Sequence, residues 1–163
     1  MAEKTQKYGK WMLTAAAALW CVVIWQFSLT PADASSATSG AVWAFLNDTL
    51  AAMNVSFRFT PIMVRKIAHF TEFFVLGVLV CSALLAHRVP CRVPFAIACA
   101  VAVATVDECI QLFVPGRAAA VTDVLLDSAG ALVGVLAFWG IWRLVIYIKK
   151  KSQKNSKKIS KTY

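Results

Sequence analysis

The sequence predicts an all-α membrane protein: a four-transmembrane-helix bundle with an interfacial amphipathic helix in its first outer loop. Three observations predict it. The 163 residues are 60% hydrophobic and only 15% charged, against roughly 45–50% and 25% for soluble domains, and mean hydropathy is +0.66. Four apolar stretches reach the roughly 20 residues that crossing a bilayer requires. The basic residues gather at the chain ends and in one short loop rather than along the apolar runs. The length suits a single membrane domain, residues 1–148, followed by a basic tail, residues 149–163.

The first span runs from about Trp11 to Leu29, after Lys4, Lys7 and Lys10. Ala32-Asp33-Ala34 beyond it resembles a signal-peptide cleavage site, but about 19 residues with three tryptophans are long for such a segment. The run is therefore read as a retained helix. Residues 31–60 form the first connection. Pro31 to Gly40, rich in Ser and Ala, reads as irregular. From Ala41 to Met53, Val42, Phe45, Leu46, Thr49, Leu50 and Met53 recur at helical spacing, which predicts the short interfacial helix. The sequons at Asn47 and Asn54 are too short a pattern to carry weight. The second span covers about Pro61 to Ala86, charged in its first half. The third covers about Val93 to Val114, charged in its last. The fourth covers about Val121 to Ile148, again charged first.

Orientation follows from Lys and Arg in the short flanks. The N-terminal flank, Arg88 and Arg92, Arg143 and the seven lysines of the tail hold 13 of the basic residues. The opposite side holds Arg58, Arg65, Lys66 and Arg117. Both termini and the 87–92 loop are thus expected on the cytoplasmic side. The net charge of +9 is accounted for by this placement, and nucleic-acid binding is not expected. Five cysteines without a CxxC pair point to neither zinc nor a disulfide framework.

Five of the eight acidic residues, Glu72, Asp107, Glu108, Asp123 and Asp127, lie within these spans, with Arg65, Lys66 and His69. An ionised side chain at mid-membrane costs on the order of 2.5–3.5 kcal/mol on insertion scales, so these groups must face one another, a cavity or water. The topology places His69, Asp107 and Asp127 each roughly 8–12 Å from the outer end of its helix, at 1.5 Å per residue. Gln26 and Ser28 bring the first helix to the same level. One polar pocket opening outward is the expectation.

Within it, Arg65, His69 and Glu72 fall at i, i+4, i+7 on one helical face. His69 can exchange a proton, while Arg65 and Lys66 can hold an anionic head group; the bland alternative is an ion-pair network that fixes packing. Asp107 and Glu108 are adjacent, hence about 100° apart on a helix, with Gln111 in reach of both. Such acids can act as a general acid or proton carrier, or merely neutralise Arg65, Lys66 and Arg117. Arg117, in the Pro115-Gly116-Arg117 turn, can bind a phosphate or carboxylate bidentately or pair with Asp123. Asp123, Asp127, Gly130 and Gly134 form one stripe, acidic at one end and a close-packing GxxxG step at the other. The catalytic candidates, if there is catalysis, are His69, Glu72, Asp107, Glu108 and Asp127; the ligand-binding candidates are Arg65, Lys66, Gln111, Arg117, Asp123, Gln26 and Ser28. Carboxylates with one imidazole suit a divalent cation, but no ligand motif such as HExxH is present and the nearby cations compete. No cofactor is therefore expected, a divalent cation being the alternative.

These residues in this order resemble the VanZ-like family, whose founding member is associated with teicoplanin resistance. The likeness rests on Lys66-Ile67-Ala68-His69-Phe70-Thr71-Glu72-Phe73, on Asp107-Glu108 with Gln111 and Pro115-Gly116-Arg117, and on Asp123, Asp127, Gly130 and Gly134. Trp25-Gln26-Phe27-Ser28 and the serines Ser35, Ser36 and Ser39 resemble the family's first outer loop. The likeness covers residues 11–145 and implies a small bacterial envelope protein of the inner (cytoplasmic) membrane, some members lowering sensitivity to lipoglycopeptides. The expected partner is a membrane lipid, a lipid-linked envelope ligand or a lipoglycopeptide held in the pocket. The alternatives are a membrane-embedded hydrolase or transferase acting on a lipid head group, a proton-coupled transporter, and a scaffold whose charges only lock helices.

Overall fold

Four long helices cross back and forth and a fifth fills the first connection. The computed structural model describes residues 2–159, and side chains over residues 8–154. Helix α1 spans Ala2–Ser28, α2 Ala32–Ala52, α3 Pro61–Ala86, α4 Arg92–Gln111 and α5 Val121–Ile159. Of these, α1, α3, α4 and α5 are long and apolar enough to cross a membrane. Lys161 lies outside the described residues, as do the side chains of Lys4, Lys7, Lys157 and Lys158.

The ends of the elements follow local chemistry. Thr60 caps α3 by accepting from the Met63 amide, and Pro61 takes the first helical position. Helix α4 stops at Gln111, three residues before the expected Val114. There the Phe113 and Val114 amides bond three residues back, to Ile110 and Gln111, and Pro115 disfavours helix in the residue before it. Helix α5 runs past Ile148 into the lysine-rich tail, because Lys and Gln sustain a helix and no Gly or Pro interrupts it after Gly140. The tail is therefore no separate element where the structure describes it.

The first connection departs most from expectation. Residues 32–40, read from sequence as irregular, are the first half of α2. Three alanines favour helix, and Asp33 in the first turn complements the dipole. The expected apolar stripe splits: Leu46 and Leu50 are half-buried, whereas Val42, Phe45 and Met53 are exposed. The side turned toward α3 carries Ser35 and Ser39 instead. Three hydrogen bonds to the returning chain hold the helix there. Trp43 Nε1–H donates to the Phe59 carbonyl at 2.6 Å, and the Asn47 side chain both accepts from the Phe59 amide and donates to its carbonyl.

The bundle centres on α3, which packs most extensively on α5. A Cβ added at Gly130 would strike the Phe70 carbonyl, one at Gly134 the Phe74 carbonyl, and one at Gly77 the Ala131 carbonyl. These backbones touch, as small-residue steps allow in membranes. On α4 the inward stripe is Ala96, Ala100 and Ala104, all fully buried, continuing into Asp107 and Gln111. Ile24, Phe73, Leu76 and Ala131 complete the central core. The large apolar residues of the outer surface, such as Leu19, Leu125 and Leu136, are exposed and fit a lipid-facing shell.

Gly134→Leu should therefore destabilise the bundle by about 1–3 kcal/mol or more, whereas Gly140→Ala, with open space around its Cβ, should leave stability unchanged or raise it. Thermal denaturation in detergent compares the two; equal melting temperatures would contradict the backbone contact.

Candidate functional site

At the end of the bundle that carries α2, three spans bring His69, Asp107 and Asp127 together. One potential ligand atom from each lies within 4.8 Å of the others. Asp107 and Asp127 are fully buried, and His69 is half-buried. Their helices fix this meeting, since Gly130 and Phe70, at the tight α3–α5 contact, are close neighbours in sequence of Asp127 and His69.

The surroundings differ for each acid. Asp107 Oδ2 accepts from Ser28 Oγ–H at 2.8 Å and from Gln111 Nε2–H at 3.0 Å, while Gln111 also donates to Ser28 at 3.3 Å. Ser28 and Gln111 are themselves buried. These two ligand-binding candidates thus serve as the hydrogen-bonding frame of Asp107. Its other oxygen, Oδ1, is buried with no partner, and both oxygens of Asp127 are in the same condition. Glu72 Oε2 lies 4.0 Å from His69 Nδ1, too far for a hydrogen bond. Glu108 turns away from this group and accepts from the Ala120 amide at 2.9 Å. It thereby holds the start of α5, where a carboxylate also meets the helix dipole favourably. Adjacent acids 100° apart have taken separate tasks.

Two cavities flank the cluster. One, of about 280 Å³, lies between α2 and α3, with Arg65, His69, Glu72, Arg117 and the hydroxyls of Thr30, Ser35, Thr38 and Ser39 on a wall completed by Phe27, Val42, Val64 and Ala68. The other, of about 270 Å³, is lined by Arg65, Lys66, His69, Arg117, Asp123 and Asp127. Arg65, His69 and Arg117 border both. Gln26 is exposed and borders neither: two residues at about 100° each put it on the opposite side of the helix from the buried Ser28.

The cations are placed unequally. Lys66 Nζ pairs with Asp123 at 3.6 Å on a half-exposed rim. Arg117 does not pair with Asp123. Its Nε–H donates to the Thr30 carbonyl and its Nη2–H to the Phe27 carbonyl, both at 3.0 Å, which straps the turn to the end of α1. The Pro115 carbonyl in turn accepts from the Ala32 amide, and Gly116 adopts φ +75°, open to glycine. Arg117 Nη1 is left buried without a partner. Burial of this guanidinium and the neighbouring Arg65 charge pull its pKa below the ordinary arginine value. Arg65 makes no ion pair with any described residue.

From residue 13 to residue 145 the sequence matches the family model described as VanZ/LLP1. The chain belongs to the VanZ/LLP1 family. No curated protein matches it, and neither does any solved structure. The VanZ/LLP1 match begins inside the first span, takes in the second and third, and runs through the GxxxG step of α5 to end before the lysine-rich stretch. Sequence reasoning missed Thr30 and Thr38 on the cavity wall and the carbonyls that hold Arg117; backbone acceptors leave no trace in side-chain patterns. The serines of the first loop were the available signal for the α2 wall.

Removing the Asp107 frame should be costly. Gln111→Leu leaves a buried carboxylate short of a donor and should destabilise by about 1–3 kcal/mol, while Gln26→Ala, on the exposed face, should be neutral. Denaturation in detergent distinguishes them, and equal effects would contradict the assigned frame.

Proposed function

We propose that this VanZ/LLP1 protein engages an anionic lipid or lipid-linked envelope ligand, its head group in the α2-end cavities and its chains along the adjoining apolar wall. The carrying observation is the pair Arg65 and Arg117. Both border both cavities, Arg65 is without an ion-pair partner among the described residues, and Arg117 presents a buried, unpartnered Nη1. Guanidinium groups so placed suit the oxygens of a phosphate or carboxylate. The hydroxyls of Ser35, Thr38 and Ser39 supply further donors, and Phe27, Val42 and Val64 an apolar border. That combination fits an amphiphile better than a free ion.

In this reading the protein lies in the bacterial cytoplasmic membrane, with its termini and the 87–92 turn in the cytoplasm and the cavities opening outward. The distribution of 13 against four basic residues supports it. An outward site for envelope lipids also connects with reduced sensitivity to lipoglycopeptides such as teicoplanin, whose targets lie on that surface.

Two measurements test the parts separately. Native mass spectrometry from bilayers containing phosphatidylglycerol or a polyprenyl phosphate should show retained anionic lipid. The double variant Arg65→Gln, Arg117→Gln should reduce it about tenfold or more, a loss of at least about 1.4 kcal/mol; equal retention sinks the reading. For orientation, a membrane-impermeant maleimide on intact cells should label Ser36→Cys, exposed on α2, and spare the exposed Cys91 of the opposite turn, each as the single cysteine of the chain. The reverse pattern would invert the topology.

A further inference from the structure

Two acids buried side by side in a membrane bundle must be neutralised, by a bound cation or by protons, and none of the described basic side chains pairs with them. Lys66 is spent on Asp123. Arg117 donates to two backbone carbonyls. No described Lys, Arg or His nitrogen lies within ion-pair distance of Asp107 or Asp127. Arg65 and Arg117 border the cavity beside the two acids, but neither forms an ion pair with them.

We propose that His69, Asp107 and Asp127 bind a divalent cation. The potential ligand atoms come one from each of three helices and lie within 4.8 Å of one another. Three oxygens in this group, Asp107 Oδ1 and both of Asp127, are buried and without hydrogen-bond partners. Asp127 is 1% exposed, so these are not solvated surface carboxylates. Donors about 2.0–2.2 Å from a metal stand at most about 4.4 Å apart, so small side-chain rotations close the set. Ser28 and Gln111 fix Asp107 through Oδ2 and leave Oδ1 free, as outer partners do for ligating carboxylates. One imidazole with two carboxylates favours Zn²⁺ or Mn²⁺ over Mg²⁺ and Ca²⁺, which prefer oxygen alone. Three protein ligands leave a coordination position open, and His69 and Asp127 border the second cavity, through which the ion enters. Bound there, the ion supplies the positive charge that the two carboxylates lack and ties α3, α4 and α5 together at one point.

This site uses groups other than the two arginines of the lipid reading, so either can fail alone. Protein purified without chelators, loaded with Zn²⁺ or Mn²⁺ and freed of excess ion, should retain one ion per chain by elemental mass spectrometry. Its melting temperature should rise on loading. Asp127→Asn and His69→Gln should each retain about tenfold less, and Gln26→Ala the same as wild type. A wild-type readout guards against variants that do not fold. The chain has only two histidines, and His87 lies at the other end of the bundle against Trp11 and Thr14. Spin-echo modulation from a single imidazole nitrogen on bound Mn²⁺ in wild type therefore reports His69, and its loss on His87→Gln rather than on His69→Gln would overturn the assignment. Wild type that retains no ion and melts unchanged would also overturn it, leaving the two acids neutralised by protons.

Discussion

Backbone contact between α3 and α5 is the constraint on which the rest of this structure rests. Gly77, Gly130 and Gly134 let the two helices approach until main-chain carbonyls meet Cα positions, with no side chain between. Lipid tails offer no hydrophobic drive for helices to associate, so close packing of this kind must hold the bundle. It also sets the site. Phe70, beneath Gly130, is the neighbour of His69, and Asp127 lies one turn before Gly130 on the same stripe. The distance between imidazole and carboxylate is thus fixed by a contact that contains neither.

Around that contact, each polar group answers the low dielectric differently. Glu108 caps the start of α5, Ser28 and Gln111 satisfy one oxygen of Asp107, and Lys66 pairs with Asp123 at the rim. What remains after these pairings is a buried remainder of four carboxylate oxygens, from Glu72, Asp107 and Asp127, with one arginine nitrogen and the Trp25 indole nitrogen. Buried polar groups are ordinarily satisfied. Apart from the Trp25 indole, these exceptions belong to side chains that line the cavities or adjoin them, which is why they point to a ligand and not to poor packing.

Much of this was legible in the sequence because a bilayer leaves few options. Apolar length gave the four spans, and α3 was placed residue for residue from Pro61 to Ala86. Counting residues inward from each helix end was enough to bring His69, Asp107 and Asp127 to one level. Rotation about the helix axis was not legible. Nothing in Asp107-Glu108 says which acid turns inward, or in Gln26-Phe27-Ser28 which polar residue does; tertiary packing of α1 and α4 decides it. The N-terminal half of α2 was lost to a Ser-rich composition that suits loops and, with enough alanine, helices equally. Gly77 stood alone in an apolar run, and its role exists only because Ala131 lies across from it.

The distribution of buried polarity bears on what kind of site this is. Among the described residues, the buried polar and charged ones are Ser28, Asp107, Glu108, Gln111 and Asp127, all in the α2 half of the bundle. Beyond them Ile24, Phe73, Leu76 and Ala100 form a fully buried apolar layer, followed by Cys81, Ala96 and Val135 toward the 87–92 turn. A proton or ion path through the bundle needs polar groups at successive depths, and this layer provides none. Opening it would mean separating α3 from α5, against the glycine contact that holds them. This layering is what the proposed lipid reading requires, a ligand that enters and leaves by the same mouth.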